Sequence, residues 1–163
     1  MLTHTDTEPD AARCALVAEA LEQAGSLRLV ARGASMLPAI WPGEELEIHR
    51  APANRLSPGD IAVCLVAGRI RIHRVRQVLP EYIVTQGDSL TRPDPPVPFS
   101  QVRGRVVYIR RPGARRAVAN RVRVGARAAS YLLARSWLLG ALAVRLRRWL
   151  GAWPAPLKVS HLG

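Results

Sequence analysis

Two runs of β-forming residues meet in Asp60-Ile61-Ala62-Val63-Cys64-Leu65-Val66-Ala67-Gly68-Arg69-Ile70-Arg71-Ile72-His73-Arg74-Val75, residues 60–75. Both runs alternate in character, and Val66-Ala67-Gly68-Arg69 between them is a hairpin turn signal, with Gly68 supplying the unusual backbone angle. The two runs are therefore expected to be antiparallel neighbours. Working outward, SLRLVAR and EELEIHR precede the hairpin, while EYIVTQ and GRVVYIR follow it, each broken from the next by Pro or Gly. A mainly β domain over residues 27–111 results. The Pro-rich stretch TRPDPPVPF (91–99) cannot form a central strand, because proline has no N–H to donate, and is expected to run as an extended surface loop. Upstream, residues 1–26 hold a short helix over residues 10–24. Leu16, Val17, Ala20, Leu21 and Ala24 lie at helical spacing, with Asp10 as N-cap and Gly25 as stop.

At 163 residues the chain is about one domain by length, large enough to bury a core without disulfide or metal staples. Cys14 and Cys64 have no partner spacing and read as small apolar core residues. The four histidines show no HxxxH or HExxH spacing, so neither a metal nor a cofactor is expected. The opening MLTHTDTEPDAAR lacks the basic start and apolar run of a secretion signal, which predicts a cytoplasmic protein. Charge is split along the chain. Residues 1–94 carry ten arginines against all twelve acids, whereas residues 95–163 carry thirteen arginines, one lysine and no acid. A segment this basic seeks phosphate, in lipid or in nucleic acid.

Three separated segments hold the residues capable of chemistry. They are Arg32-Gly33-Ala34-Ser35-Met36-Leu37-Pro38, then Pro58-Gly59-Asp60 leading through the hairpin to His73-Arg74-Val75, and finally Gly87-Asp88 with Asp94 six residues on. In order and spacing these resemble the type I signal peptidase and LexA-like serine peptidases. There a Ser-Met dipeptide followed by Pro carries the nucleophile, a Pro-Gly-Asp precedes a strand, and the base followed by Arg-Val lies on the next strand. His-Arg-Val resembles the endoplasmic-reticulum and archaeal subtype, whose base is histidine where the bacterial leader peptidases and LexA use lysine. The resemblance covers roughly residues 27–110 and implies a coiled β domain. It further implies a serine endopeptidase that cleaves a precursor or leader peptide bound as an extended strand. In that reading Ser35 is the nucleophile and His73 its base; of the two carboxylates offered for the catalytic set, Asp94 is the first candidate to stand behind the imidazole, and Asp88 is the other, with a tie for the loop as its alternative role. Gly33, Ala34 and Met36 form the turn around the nucleophile, and the backbone N–H of Ser35 faces the oxyanion. Where signal peptidases often place a serine two positions before the nucleophile, this chain has Gly33, which points to an oxyanion site that is either built from backbone alone or weak.

A serine hydroxyl attacks a carbonyl only when a neighbouring base removes its proton, so the two must meet at about 2.6 to 3.2 Å. An imidazole ordinarily titrates near 6.5, against about 10.4 for a lysine amine, so a Ser-His site tolerates a wetter cleft. Cleavage is accordingly expected to decline below about pH 6. A pH–rate profile checks this, and undiminished turnover at about pH 4.5 would contradict it. His49, in Ile48-His49-Arg50, is the competing base, but it ends the earlier strand and lacks the hairpin context. Ala24-Gly25 is a LexA-like self-cleavage dipeptide, yet it lies too close in sequence to Ser35 to cross the site in the required direction. A different functional class, a silent peptide-binding or membrane adaptor on the same fold, is separated from an enzyme by reaction of Ser35 with a fluorophosphonate.

The last segment, residues 112–163, reads as a basic amphipathic helical tail extending to about Trp153. At about 100° per residue, Arg123, Arg127, Arg135, Arg145 and Arg148 fall within an arc of roughly 140°. The apolar run 128–144 is seventeen residues long and contains Arg135. A spanning helix wants about 20 apolar residues, and a central arginine costs about 2.5 kcal/mol or more. The tail is therefore expected to lie at the inner face of an anionic membrane, with Trp137, Trp149 and Trp153 at the boundary. Nucleic acid is not favoured, because no base-stacking aromatics are set among the arginines in a strand context.

Overall fold

The computed structural model describes residues 7–111 and 114–118. The basic tail from residue 119 onward, with its expected amphipathic helix and membrane face, lies outside the described residues. The elements run α1 (Thr7–Ala24), β1 (Ser26–Val30), β2 (Glu45–Arg50), β3 (Ile61–Val66), β4 (Arg69–Val78), β5 (Tyr82–Gln86), β6 (Val97–Pro98), β7 (Val102–Arg111) and β8 (Ala114–Ala117). Over the described residues the protein is mainly β, an antiparallel eight-stranded sheet with one N-terminal helix.

The hairpin forms as read. β3 and β4 pair antiparallel from Ile61↔Arg74 to Val66↔Arg69, and the two turn residues Ala67 and Gly68 have φ of 50° and 71°. Two positive φ values mark the turn that matches strand twist, with Ala67 bearing the strain that Gly68 avoids. Strand order is β1-β2-β7-β3-β4-β5-β6, with β8 on β7. Bulges at Glu47/Ile48, Val63/Cys64 and Val75/Gln77 bend the sheet, each adding local twist. β3 is central and has a core on either face. Ile61 and Val63 pack with Val17 and Leu21 of α1, while Ala62 and Cys64 pack with Val75, Ile83 and Val97.

α1 starts at Thr7, ahead of the expected Asp10 cap, and ends where Gly25, at φ 69°, donates its N–H to Leu21 O at 3.1 Å. Its buried stripe is Cys14, Val17 and Leu21, with Leu16 66% exposed. The apolar face is thus one narrow line at i, i+3 and i+7, and Leu16 falls beside it. Two further differences concern proline and arginine. Val97–Pro98 in the Pro-rich loop forms a two-residue strand, tolerated because it lies at the sheet edge. Residues 114–117, expected to begin the helical tail, instead pair with β7 as β8. Arg115 stacks 3.6 Å over the Tyr108 ring and donates to Glu47 at 2.6 Å, contacts that a strand alignment permits and that helical propensity does not outweigh.

Candidate active site

The chain leaves β1 and turns sharply before β2. Ala31 N–H donates to Glu44 O at 2.8 Å and Gly43 N–H to Ala31 O at 2.9 Å, closing a loop around residues 32–42. Gly33 sits at φ 79°, where a side chain would be strained. Beyond it Met36 and Leu37 are buried, and Ile40 N–H donates to Met36 O at 2.9 Å, so the turn is pinned by its own apolar residues. Ser35 is held from the other side as well. Ser89 donates its N–H to Ser35 O at 2.9 Å and its hydroxyl to Ala34 O at 2.8 Å. Gly87 lies so close that a Cβ there would stand 2.6 Å from Ser35 O.

His73 lies on β4 opposite Ala62 and is buried. Its Nε2 is 3.0 Å from Ser35 Oγ, and its Nδ1 is 2.6 Å from Asp94 Oδ2. The Thr85 hydroxyl donates to the same Asp94 oxygen at 2.6 Å, while Asp94 N–H donates to Thr85 O at 2.8 Å. Two donors on one carboxylate oxygen suit an ionised Asp94. With Nδ1–H committed to that oxygen, the Nε2 lone pair faces the serine hydroxyl. Ser35, His73 and Asp94, expected from three distant segments, are thus brought together in one hydrogen-bonded line. The Ser35 N–H donates to no acceptor among the described residues, which leaves it open to a ligand oxygen. His49, the competing base, is exposed on β2 and pairs with Glu47 at 3.2 Å instead.

Neither a protein-family model nor a curated protein matches this chain.

Asp88 stands apart from the imidazole. Arg74 grips both its oxygens, Nε to Oδ1 at 2.8 Å and Nη2 to Oδ2 at 2.7 Å, and Arg74 Nη1 donates to Gly59 O at 2.8 Å. Arg74 is only 4% exposed, so it is no solvated surface charge but the buried tie between β4 and the loop that holds Ser35. Arg74→Met would strand a carboxylate in the interior, and about 3 to 5 kcal/mol of stability is expected to be lost in urea unfolding. Arg74→Met with Asp88→Leu removes both charges and should recover much of it; a double variant as unstable as the single one would contradict this.

Cys64 lies close enough to the site for Arg71 and Asp94 to act on it, yet burial pushes its thiol up to about 12. It is a protonated core residue and no rival nucleophile. Among the described residues no cluster of His, Cys, Asp and Glu could hold a metal ion.

A cleft of about 1060 Å³ opens beside Ser35 and His73. Among the described residues β1 pairs with β2 alone, and β4 from Arg69 to His73 pairs with β3 alone, since its pairing to β5 begins at Arg74. Both strands contribute to the cleft, so the bent sheet brings two open edges to face each other. One leads to the serine and the other to the histidine. Leu29, Met36, Ile40, Ile70 and Ile72 form its apolar wall.

Proposed function

We propose that this chain is a serine endopeptidase of the signal peptidase I type, with the coiled β domain of the signal-peptidase/LexA-like group, cleaving a peptide bond in a precursor or leader peptide. The observation that carries the proposal is the continuous contact from Ser35 Oγ to His73 Nε2 at 3.0 Å and from His73 Nδ1 to Asp94 at 2.6 Å. A structural serine needs no imidazole at its hydroxyl, and a structural histidine needs no carboxylate behind it.

In the proposed reaction the substrate lies extended along the open edges, paired through its main chain. His73 Nε2 takes the hydroxyl proton as Ser35 Oγ bonds to the carbonyl carbon, and the carbonyl oxygen becomes an anion facing the Ser35 N–H. Asp94 stabilises the imidazolium so formed. The C–N bond then breaks as His73 gives that proton to the leaving amine. A water then gives a proton to His73 as its oxygen bonds to the acyl carbon, the bond from that carbon to Ser35 Oγ breaks, and His73 returns the proton to Oγ, which restores the site. No cofactor takes part.

Incubation with a fluorophosphonate is expected to add one adduct, located by mass spectrometry of peptides to Ser35. No adduct in folded protein would favour the silent adaptor. Gly87→Ala supplies a check on positioning, since its methyl would press on Ser35 O. A serine displaced by about 1 Å is expected to lose about 100-fold in kcat, with folding retained. An unchanged kcat would show that the turn yields without harm.

No helix among the described residues is long and apolar enough to cross a membrane. We propose a peripheral attachment to anionic lipid at the inner face of the membrane through the aligned arginines of the tail, on sequence grounds. Flotation with vesicles of anionic lipid, and not with neutral ones, is the expected result; failure with both would remove the attachment.

A further inference from the structure

The two open edges that frame the cleft are two-faced. On β4, Ile70 and Ile72 turn to the core shared with α1, whereas Arg69, Arg71 and His73 alternate with them on the opposite face. On β1, Leu27 and Leu29 pack against that same core, and the run continues into buried Ala31; Arg28, Val30 and Arg32 occupy the alternate positions. Arg32, Arg69 and Arg71 line the cleft, joined by Arg13 from α1. Against these four cations stands one carboxylate, Asp10, 3.9 Å from Arg69. Arg32 and Arg71 have no hydrogen-bond or ion-pair partner among the described residues, although Arg71 is half-buried. By contrast the acids of the neighbouring strands are occupied: Glu44 by Arg111, Glu45 by Arg28 and Arg110, Glu47 by Arg115.

A peptide lying between these edges alternates in the same way. Every second side chain meets the apolar wall, and those between meet the arginines. We propose that the substrate is an acidic peptide, carrying Asp or Glu at alternate positions about two and four residues from the scissile bond, out of phase with the side chains that enter the apolar wall. Arg71 and Arg32 receive the nearer carboxylate and Arg69 with Arg13 the farther one. This specificity rests on the peptidase reading for its turnover, but the charge and the alternation belong to the cleft itself.

The test scans an internally quenched peptide with alanines around the cleaved bond, placing Asp or Asn at one position at a time and measuring kcat/KM with the full chain. Asp is expected to be favoured over Asn about fivefold at the alternate positions, the size of a partly exposed ion pair, and not at those between. The ratio should fall towards unity in about 0.5 M salt. Arg71→Gln should lower the nearer ratio, Arg71→Gln with Arg32→Gln should bring it to one, and Arg71→Glu with Arg32→Gln should turn the preference to Lys. An Asp preference equal at every position would mean general steering by a chain of net charge +12, and would overturn the proposal. So would a preference that survives in Arg71→Gln with Arg32→Gln. If wild type cleaves none of the peptides, the peptidase reading fails separately, and fluorescence anisotropy of the same labelled peptides on the Ser35→Ala chain decides the matter. Tighter binding of Asp at alternate positions supports the acidic cleft, and equal affinity for Asp and Asn peptides sinks it.

Discussion

Ser35→Ala is expected to lower kcat by about 10⁴-fold or more while leaving the fold and the affinity for peptide nearly unchanged. The serine oxygen is the atom that bonds to substrate in the proposed reaction, and its removal leaves only peptide positioning and one backbone donor. His73→Ala is expected to cost a similar factor, because an alcohol that keeps its proton is a poor nucleophile. The two losses should not add. Once either partner is missing, the other has nothing to act on, so the double variant should fall close to each single one. Among the described residues the Ser35 side chain makes no hydrogen bond other than to His73, and the change to alanine removes a single oxygen, so melting temperature should hardly move. Cleavage by Ser35→Ala within about tenfold of wild type would end the serine mechanism.

Several parts of this arrangement were legible in the sequence, and the reason is local in each case. The β3–β4 hairpin declares itself through a two-residue turn between alternating runs, which fixes the register and therefore the side of β4 on which His73 stands. Gly25 and Gly33 mark positive φ at the end of α1 and before the nucleophile. The conjunction of Ser35, His73 and Asp94 came from order and spacing within a family pattern, not from any single residue.

What stayed hidden depends on long-range packing. Nothing local announces that Arg74 leaves solvent to bind Asp88, because an arginine in an alternating strand is most simply read as exposed. Thr85 carried a faint signal: it follows Ile83 at the inward spacing of β5, and a hydroxyl at an inward position needs a partner. Gly87 continues the same alternation, and its lack of a side chain is explained only by the approach of Ser35 O from a loop some fifty residues earlier. The placement of β8 escaped for a related reason. Its four residues favour helix by composition, and the partners that hold them, Tyr108 and Glu47, come from two other strands.

Asp94→Asn should cost about 10⁴-fold in kcat with KM within about threefold of wild type, although it removes no atom in contact with substrate. Asp94 accepts from Nδ1–H and so keeps the Nε2 lone pair directed at Ser35 Oγ, 3.0 Å away. An asparagine holds the same space, and its amide NH2 can take the place of Oδ2, donating to Nδ1 and to the Thr85 hydroxyl, which rotates from donor to acceptor. The imidazole then carries its proton on Nε2, pointing an N–H at the serine where a base is needed. Charge is lost as well, so the imidazolium formed during attack has no counter-ion. Thr85→Val leaves the carboxylate in place and removes one of its two donors. A loss of about tenfold is expected there, the worth of one hydrogen bond to a charged group. The two variants therefore separate a positioning effect from a structural one. Both should melt within a few degrees of wild type, yet they should differ by about a thousandfold in kcat. If Asp94→Asn and Thr85→Val fell by the same modest factor, the carboxylate would be a tether for the Pro-rich loop, and His73 would have to find its tautomer from another source.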